Sequence, residues 1–275
     1  MPSARMARKS NNRYLLGIWA LVLVLVAVVV VPMVANVATS KDSDAFVPIF
    51  GGGVGLVMAV GAMLWSRRRL ERAFLQRDPA AVLRLFQGAG VRAMPDAAAW
   101  GAYFEAWVYT LYGRFDSARG ALARIEWRRQ PQLVQAAATG VEALLCYFDT
   151  RDYARGLRLA RVARARAEVS PSFPGASTAM EGADSIVEIG RALTGEIKPD
   201  TMAKLAAQSR DLPFGGRLLA TWGLAAAHAR AGDAAQANEA IARCRAMAPY
   251  CEPLCALPGP VESTERDSAP GASDS

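Results

Sequence analysis

AAAHARAGDAAQANEAIARCRAMAP, residues 225–249, reads as two helices and the turn between them. Ala225 and His228 on one side and Ala237 and Ile241 on the other fall at the three- and four-residue spacing that puts side chains on one helix face. Gly232-Asp233 makes the break, because glycine reaches the left-handed backbone that ends a helix and aspartate caps the next one. Pro249 stops the second helix. Small residues fill the rest of both faces, so the two helices can approach closely.

The pattern recurs upstream. Ala106, Tyr109, Gly113, Phe115, Ala118 and Leu122 form one copy, with Gly113 as the turn. Leu144, Tyr147, Tyr153 and Ala160 form another, in which Arg151 stands at the turn-glycine position and Gly156 replaces a small alanine. These spacings resemble the tetratricopeptide repeat family. The resemblance implies an all-α fold, an α-solenoid of about nine helices over residues 67–257, whose stacked hairpins offer a concave groove to a protein partner.

Outside the three pairs the resemblance fails. Pro171, Pro174 and Lys198-Pro199-Asp200 break the register between Arg164 and Gly216, although helices at about 177–194 and 199–210 still form an antiparallel pair. A turn is expected at Leu212-Pro213-Phe214-Gly215-Gly216. Asp78-Pro79 starts a helix that runs to about Gln87. On the next helix Trp100, Tyr103 and Trp107 share one face, at positions that line the groove in the family. An aromatic groove suits a hydrophobic peptide; the competing reading packs that face on Leu83 and Phe86 of the preceding helix. The family's chaperone-tail clamp uses Lys, Arg and Asn on groove helices that here carry Val141, Leu145 and Trp222, so that use is not implied.

The N-terminal part has another physics. Tyr14 to Ala38 and Phe46 to Trp65 are uncharged apolar runs, each long enough to cross hydrocarbon as a helix of about 20 residues. Together they read as a transmembrane hairpin over residues 14–66, with a basic segment 1–13 before it. Arg5, Arg8, Lys9 and Arg13 precede the first run, and Arg67, Arg68, Arg69, Arg72 and Arg77 follow the second. The positive flanks place both ends on the cytoplasmic side. A cleaved signal peptide is the rival for the first run, but the run is too long and Asn36 fits the cleavage pattern poorly. Gly51, Gly55 and Ala59 repeat every four residues, a stripe that lets helices pack closely, either on the first span or as the seam of a homo-oligomer. The second span is expected to continue unbroken to Arg77, with Leu70 and Phe74 docking on Ala80–Gln87.

Composition sets the remaining bounds. The chain has 275 residues, 52% of them hydrophobic, and a net charge of +7. That charge sits mostly at the membrane flanks, which argues against nucleic acid as a partner and for the lipid bilayer. Arginine outnumbers lysine heavily and alanine abounds, a bias of GC-rich bacterial genomes; the expected location is a bacterial inner membrane. Arg158, Arg161, Arg164 and Arg166 make one helix basic, as a solvated face or a contact with anionic lipid. Residues 258–275 are rich in Pro, Ser, Gly and acid and are expected to stay disordered.

No chemistry stands out. Cys244, Cys251 and Cys255 lack the C-x2-C spacing of structural zinc sites, and Cys146 and the lone His228 lie on other helices. His228 replaces an aromatic that packs between the helices of a hairpin. Gly215-Gly216 could hold an anion at a helix start, or simply turn. The sequence points to no catalytic residue, cofactor or metal, and to a membrane-held interaction module or, alternatively, a structural component that self-associates through the glycine stripe. Reporter fusions after residue 42 should read as outside and fusions after residue 77 as inside; the opposite pattern would put the helical domain outside the cell.

Overall fold

A computed structural model describes residues 68–92, 95–169, 176–197 and 199–258. The chain divides into two units, Met1–Leu64 and Trp65–Ser275, and all described residues belong to the second. The expected spans at 14–66, the stripe Gly51, Gly55 and Ala59, and the tail beyond Pro258 lie outside them. Among the described residues no helix is long and apolar enough to cross a membrane.

The second unit is all-helical. Helical turns at 68–74 lead to α1 (Ala80–Phe86), α2 (Ala89–Arg92), α3 (Ala97–Leu111), α4 (Phe115–Ala123), α5 (Gln132–Leu145), α6 (Tyr153–Glu168), α7 (Ala176–Thr194), α8 (Pro199–Asp211), α9 (Phe214–Arg230) and α10 (Ala234–Met247), and no strand occurs among the described residues. Three helix pairs share one turn device. Gly113 and Gly232 take φ of 72° and 80°, and the amide after each reaches back five residues, Arg114 to the carbonyl of Tyr109 and Asp233 to that of His228. That is the left-handed ending glycine permits. In the middle pair Arg151 takes the same region at φ 56° without being glycine. Asp152 and Asp233 then cap α6 and α10, accepting from the amides of Arg155 and Gln236 at 2.9 and 3.1 Å.

The helices pack in sequence order: α3 on α4 and α5, α5 on α6, α6 on α7, and α9 on α7, α8 and α10. One side chain fixes the middle of this series. Tyr147, fully buried, leaves the end of α5, lies across Gly156 of α6 and reaches α7, where its hydroxyl donates to the carbonyl of Ile186 at 3.2 Å. A Cβ at Gly156 would stand 2.6 Å from the ring's Cδ1, and one at Gly190 would strike the hydroxyl. Both glycines are therefore packing requirements, since real Cβ atoms do not approach so closely.

Both ends of the described chain return to the same place. Phe74 is completely buried, with ring centroids 5.1 Å from Phe214 and 6.1 Å from Trp107 and Tyr112. Glu71 pairs with Arg217 of α9 at 2.7 Å. At the other end, the 3-10 turn Glu252–Leu254 packs on α3, and the indole N–H of Trp222 donates to the carbonyl of Ala256 at 3.0 Å.

Two expectations change and two hold. The helix expected to run to Arg77 ends at residue 74, because Asp78 accepts from the amide of Ala80 at 3.0 Å and so opens α1. Leu70 and Phe74 do share a core cluster with Val82 and Leu83 of α1. The expected turn falls at Leu212-Pro213 alone: Gly215 and Gly216 are already helical in α9, where a Cβ at Gly215 would lie 2.6 Å from Trp107. The pair read at 177–194 and 199–210 is α7 and α8.

The seat of Tyr147 is testable. Gly190→Ala should destabilise the chain by about 1–3 kcal/mol through overpacking. Tyr147→Phe, which removes the oxygen that the new methyl would strike, should cost about 1 kcal/mol alone yet recover part of the Gly190→Ala loss. Strictly additive melting shifts in the double variant would show that the hydroxyl does not occupy that slot.

Candidate functional site

The second hairpin turn carries the most distinctive local backbone. α5 ends in a π-helical turn, Cys146–Thr150, before the left-handed Arg151. Such turns displace the register by one residue and re-aim the side chains that follow. Here Tyr147 points into the core, and Phe148 turns toward α9, its ring 4.8 Å from that of Trp222 at 74°.

Between this turn, the Gly113 turn, α9 and the chain after α10 lies an open cavity of about 290 Å³. Phe115, Phe148, Tyr153 and Trp222 give it aromatic walls, Arg151 and Glu252 stand at it with opposite charge, and Pro253, Leu257 and Pro258 form its C-terminal side. The walls have spent much of their polarity: the Trp222 N–H is held by Ala256 and the Tyr147 hydroxyl by Ile186. Trp222 and Tyr153 are buried, so what the cavity offers is the half-buried rings of Phe115 and Phe148 beside a cation and an anion, a surface that takes an apolar side chain and orients it by charge.

The aromatic face of α3 is placed differently from a free groove. Phe86 of α1 stacks on Phe104 at 4.6 Å and meets the edge of Trp107 at 5.9 Å. Trp107 is further closed by Phe74 and Gly215. Trp100 packs with Leu133, Ala136 and Ala167, and Tyr103 joins the core cluster of Ala106, Ala138 and Val141. Trp100 and Tyr103 keep partial exposure, while surrounding protein pushes the Tyr103 hydroxyl up to about 12. So the three residues share a helix but not an environment.

Other candidates resolve into packing. His228 is largely covered and lies 3.8 Å from Asp233 across its own turn. Arg161 pairs with Glu196 at 2.8 Å, Arg164 with Asp184 and Glu168, and Arg166 donates to Thr139 at 2.7 Å. Three of the four arginines expected on a basic face thus hold α6 to α5 and α7. Among the described residues no three His, Cys, Asp or Glu side chains are grouped as a metal ligand set.

Sequence reasoning passed over Phe115, Phe148 and Trp222 as site residues, because they come together only through contacts between distant segments. Arg151 was the one available signal, a charged side chain where the turn wants glycine. No family model, no curated protein and no solved structure matches this chain.

The cysteines divide by environment. Burial pushes the Cys244 thiol up to about 12 and raises Cys251 further, with Cys255 nearby adding to both. Burial raises Cys146 and Cys255 as well, but Cys255 is only partly covered whereas the other three are buried. Only a thiolate attacks a disulfide reagent, so Cys255 should react at pH 8 at least about ten-fold faster than the other three, which wait for unfolding. Four equal rates in a timed labelling experiment would contradict this arrangement.

Proposed function

We propose that this chain is a membrane-anchored interaction module: a transmembrane hairpin at 14–66 holds a tetratricopeptide-like helical domain at the cytoplasmic face of a bacterial inner membrane, and that domain binds a protein segment. The apolar runs and their arginine flanks support the anchor. Tandem hairpins that turn through a left-handed residue at Gly113, Arg151 and Gly232 support the repeat reading. Fold alone does not establish function, so the site must carry the argument.

The observation that carries it is the cavity of about 290 Å³ with walls from Phe115, Phe148, Tyr153 and Trp222. Its size and ring faces suit one or two apolar side chains of a docked segment, and Arg151 and Glu252 supply polarity at its edge. Trp100 and Tyr103 keep edges on α3 that a longer segment can cover; Trp107 is committed to the core. Among the described residues no base, nucleophile or ligand cluster gives an enzyme reading comparable support.

A second reading, self-association through Gly51, Gly55 and Ala59, is favoured by the stripe in the second apolar run. One experiment separates the two. A photo-crosslinking side chain at Leu257, exposed at the cavity's side, is introduced into the full-length protein in its native membranes. The interaction reading expects a heteromeric adduct that falls about five-fold with Phe148→Ala and is unchanged by Gly51→Ile with Gly55→Ile. An adduct between two copies that disappears with the glycine substitutions selects self-association instead.

A further inference from the structure

Two charged side chains that line the cavity have no partner among the described residues. Arg151 rises from the second hairpin turn and Glu252 from the 3-10 turn after α10, and both are exposed. Neither makes a salt bridge or a side-chain hydrogen bond, with the other or with anything else described. The charged groups next to them in the chain are committed: Asp149 is paired with Arg119, Asp152 caps the amide of Arg155, and Arg245 donates to the carbonyl of Cys255 at 2.9 Å. A cation and an anion are thus left open at one apolar space.

Both charges are mounted on backbone that packing holds in place. The π-helical turn before Arg151 and the Asp152 cap after it fix the second hairpin turn. Glu252 opens a turn anchored by Cys251 and Leu254, both fully buried, and by the bond from the Trp222 indole to the carbonyl of Ala256 at 3.0 Å. Pro253 of that turn lies over Gly113, where a Cβ would stand 3.5 Å from the proline ring.

An apolar side chain alone would satisfy Phe115 and Phe148 and leave both charges as they are. A segment that also carries an acid and a base gains at both, whereas one with two like charges is repelled at one of them. In an extended chain every second residue points the same way, so an acid and a base two positions to either side of an apolar residue turn toward the cavity with it. Either order along the segment meets the requirement, since reversing the direction of binding still brings the acid to Arg151.

We propose that the cavity selects a partner segment in which an apolar side chain lies between an acid and a base, the acid paired with Arg151, the base with Glu252 and the apolar side chain against Phe115 and Phe148. This selectivity rests on the interaction reading above and adds the partner's charge pattern to it. The pairs are exposed, so each is weak and screened by salt.

The test uses five-residue peptides blocked at both ends, with photo-leucine at the centre, glycine on either side of it and a charged residue at each end. Three versions carry one glutamate and one lysine, two glutamates, or two lysines. Each is irradiated at low salt with the full-length protein in phosphatidylcholine nanodiscs, and the adducts are mapped and counted by mass spectrometry. Adducts on residues 113–115, 148 and 252–258 should be about five-fold more abundant with the mixed peptide than with either of the others. Arg151→Glu should move that preference to the two-lysine peptide and Glu252→Arg to the two-glutamate peptide. The two substitutions together should return it to the mixed peptide, which also shows the fold intact. Cavity adducts that are equal for the three peptides, or a preference that ignores the reversals, overturn the charge pattern and leave the interaction reading standing. Absence of cavity adducts from every peptide overturns the charge pattern, and the interaction reading with it if Leu257 also captures no partner.

Discussion

The middle of the helical series depends on one aromatic side chain seated between two glycines. Tyr147 crosses from α5 to α7 over α6, and that path exists only because Gly156 and Gly190 have no Cβ to block it. The same placement explains why the second hairpin departs from the other two. The π-helical turn at Cys146–Thr150 sets Tyr147 and Phe148 on opposite errands, one into the core and one toward Trp222. A regular α-helical ending would carry both residues round by the same angle and lose one of the two contacts.

A second constraint is the return of both ends to α3 and α9. Phe74 fills the space among Trp107, Tyr112 and Phe214, and Leu254 is fully buried in the same cluster. The Tyr112 hydroxyl donates to the carbonyl of Gln76 at 3.1 Å, which pins the helical turns at 68–74 to α3. Hairpin arrays held only by neighbour contacts keep an open face. Here the aromatic side of α3 is used to hold Phe74 and Leu254, while the cavity lies at the hairpin-turn side. The polar seam between α7 and α8 is the contrasting case. Glu188 is 4% exposed, bonded to Arg191 at 2.8 Å and near Lys204 at 3.4 Å, while its second oxygen has no protein partner. A buried carboxylate held on one side adds little net stability, so α8 is fixed chiefly by its packing on α9.

What was readable in the sequence was local. Helix pairs around Gly113 and Gly232 follow from small-residue periodicity and turn chemistry, and α7 and α8 were placed within a residue or two by Pro199 and helical spacing. The failures share a cause. Gly215-Gly216 reads as a turn because two glycines disfavour a helix by about 1 kcal/mol each, and tertiary contact with Trp107 outweighs that. Arg161, Arg164 and Arg166 keep the exposure of a solvated face, but their partners could not be read locally, since Asp184 lies on α7, Glu196 just after it and Thr139 on α5. The cavity needs residues from positions 113 to 258 brought together, and no periodicity encodes that.

Arg151 connects the local and the distant. A left-handed residue with a side chain costs about 1–2 kcal/mol relative to the right-handed helix, and the two equivalent turns avoid the cost with glycine. The strain could not be removed by shifting the turn, because the π-helical residues before it are fixed by Tyr147 and the cap after it by Asp152. Glycine at 151 would relieve the backbone and leave both of those intact, so folding gives no reason for an arginine. The side chain stands in the wall of the cavity, beside aromatic rings. A left-handed backbone at a turn where the two equivalent hairpins use glycine makes Arg151 the side chain on which the interaction reading is most directly tested.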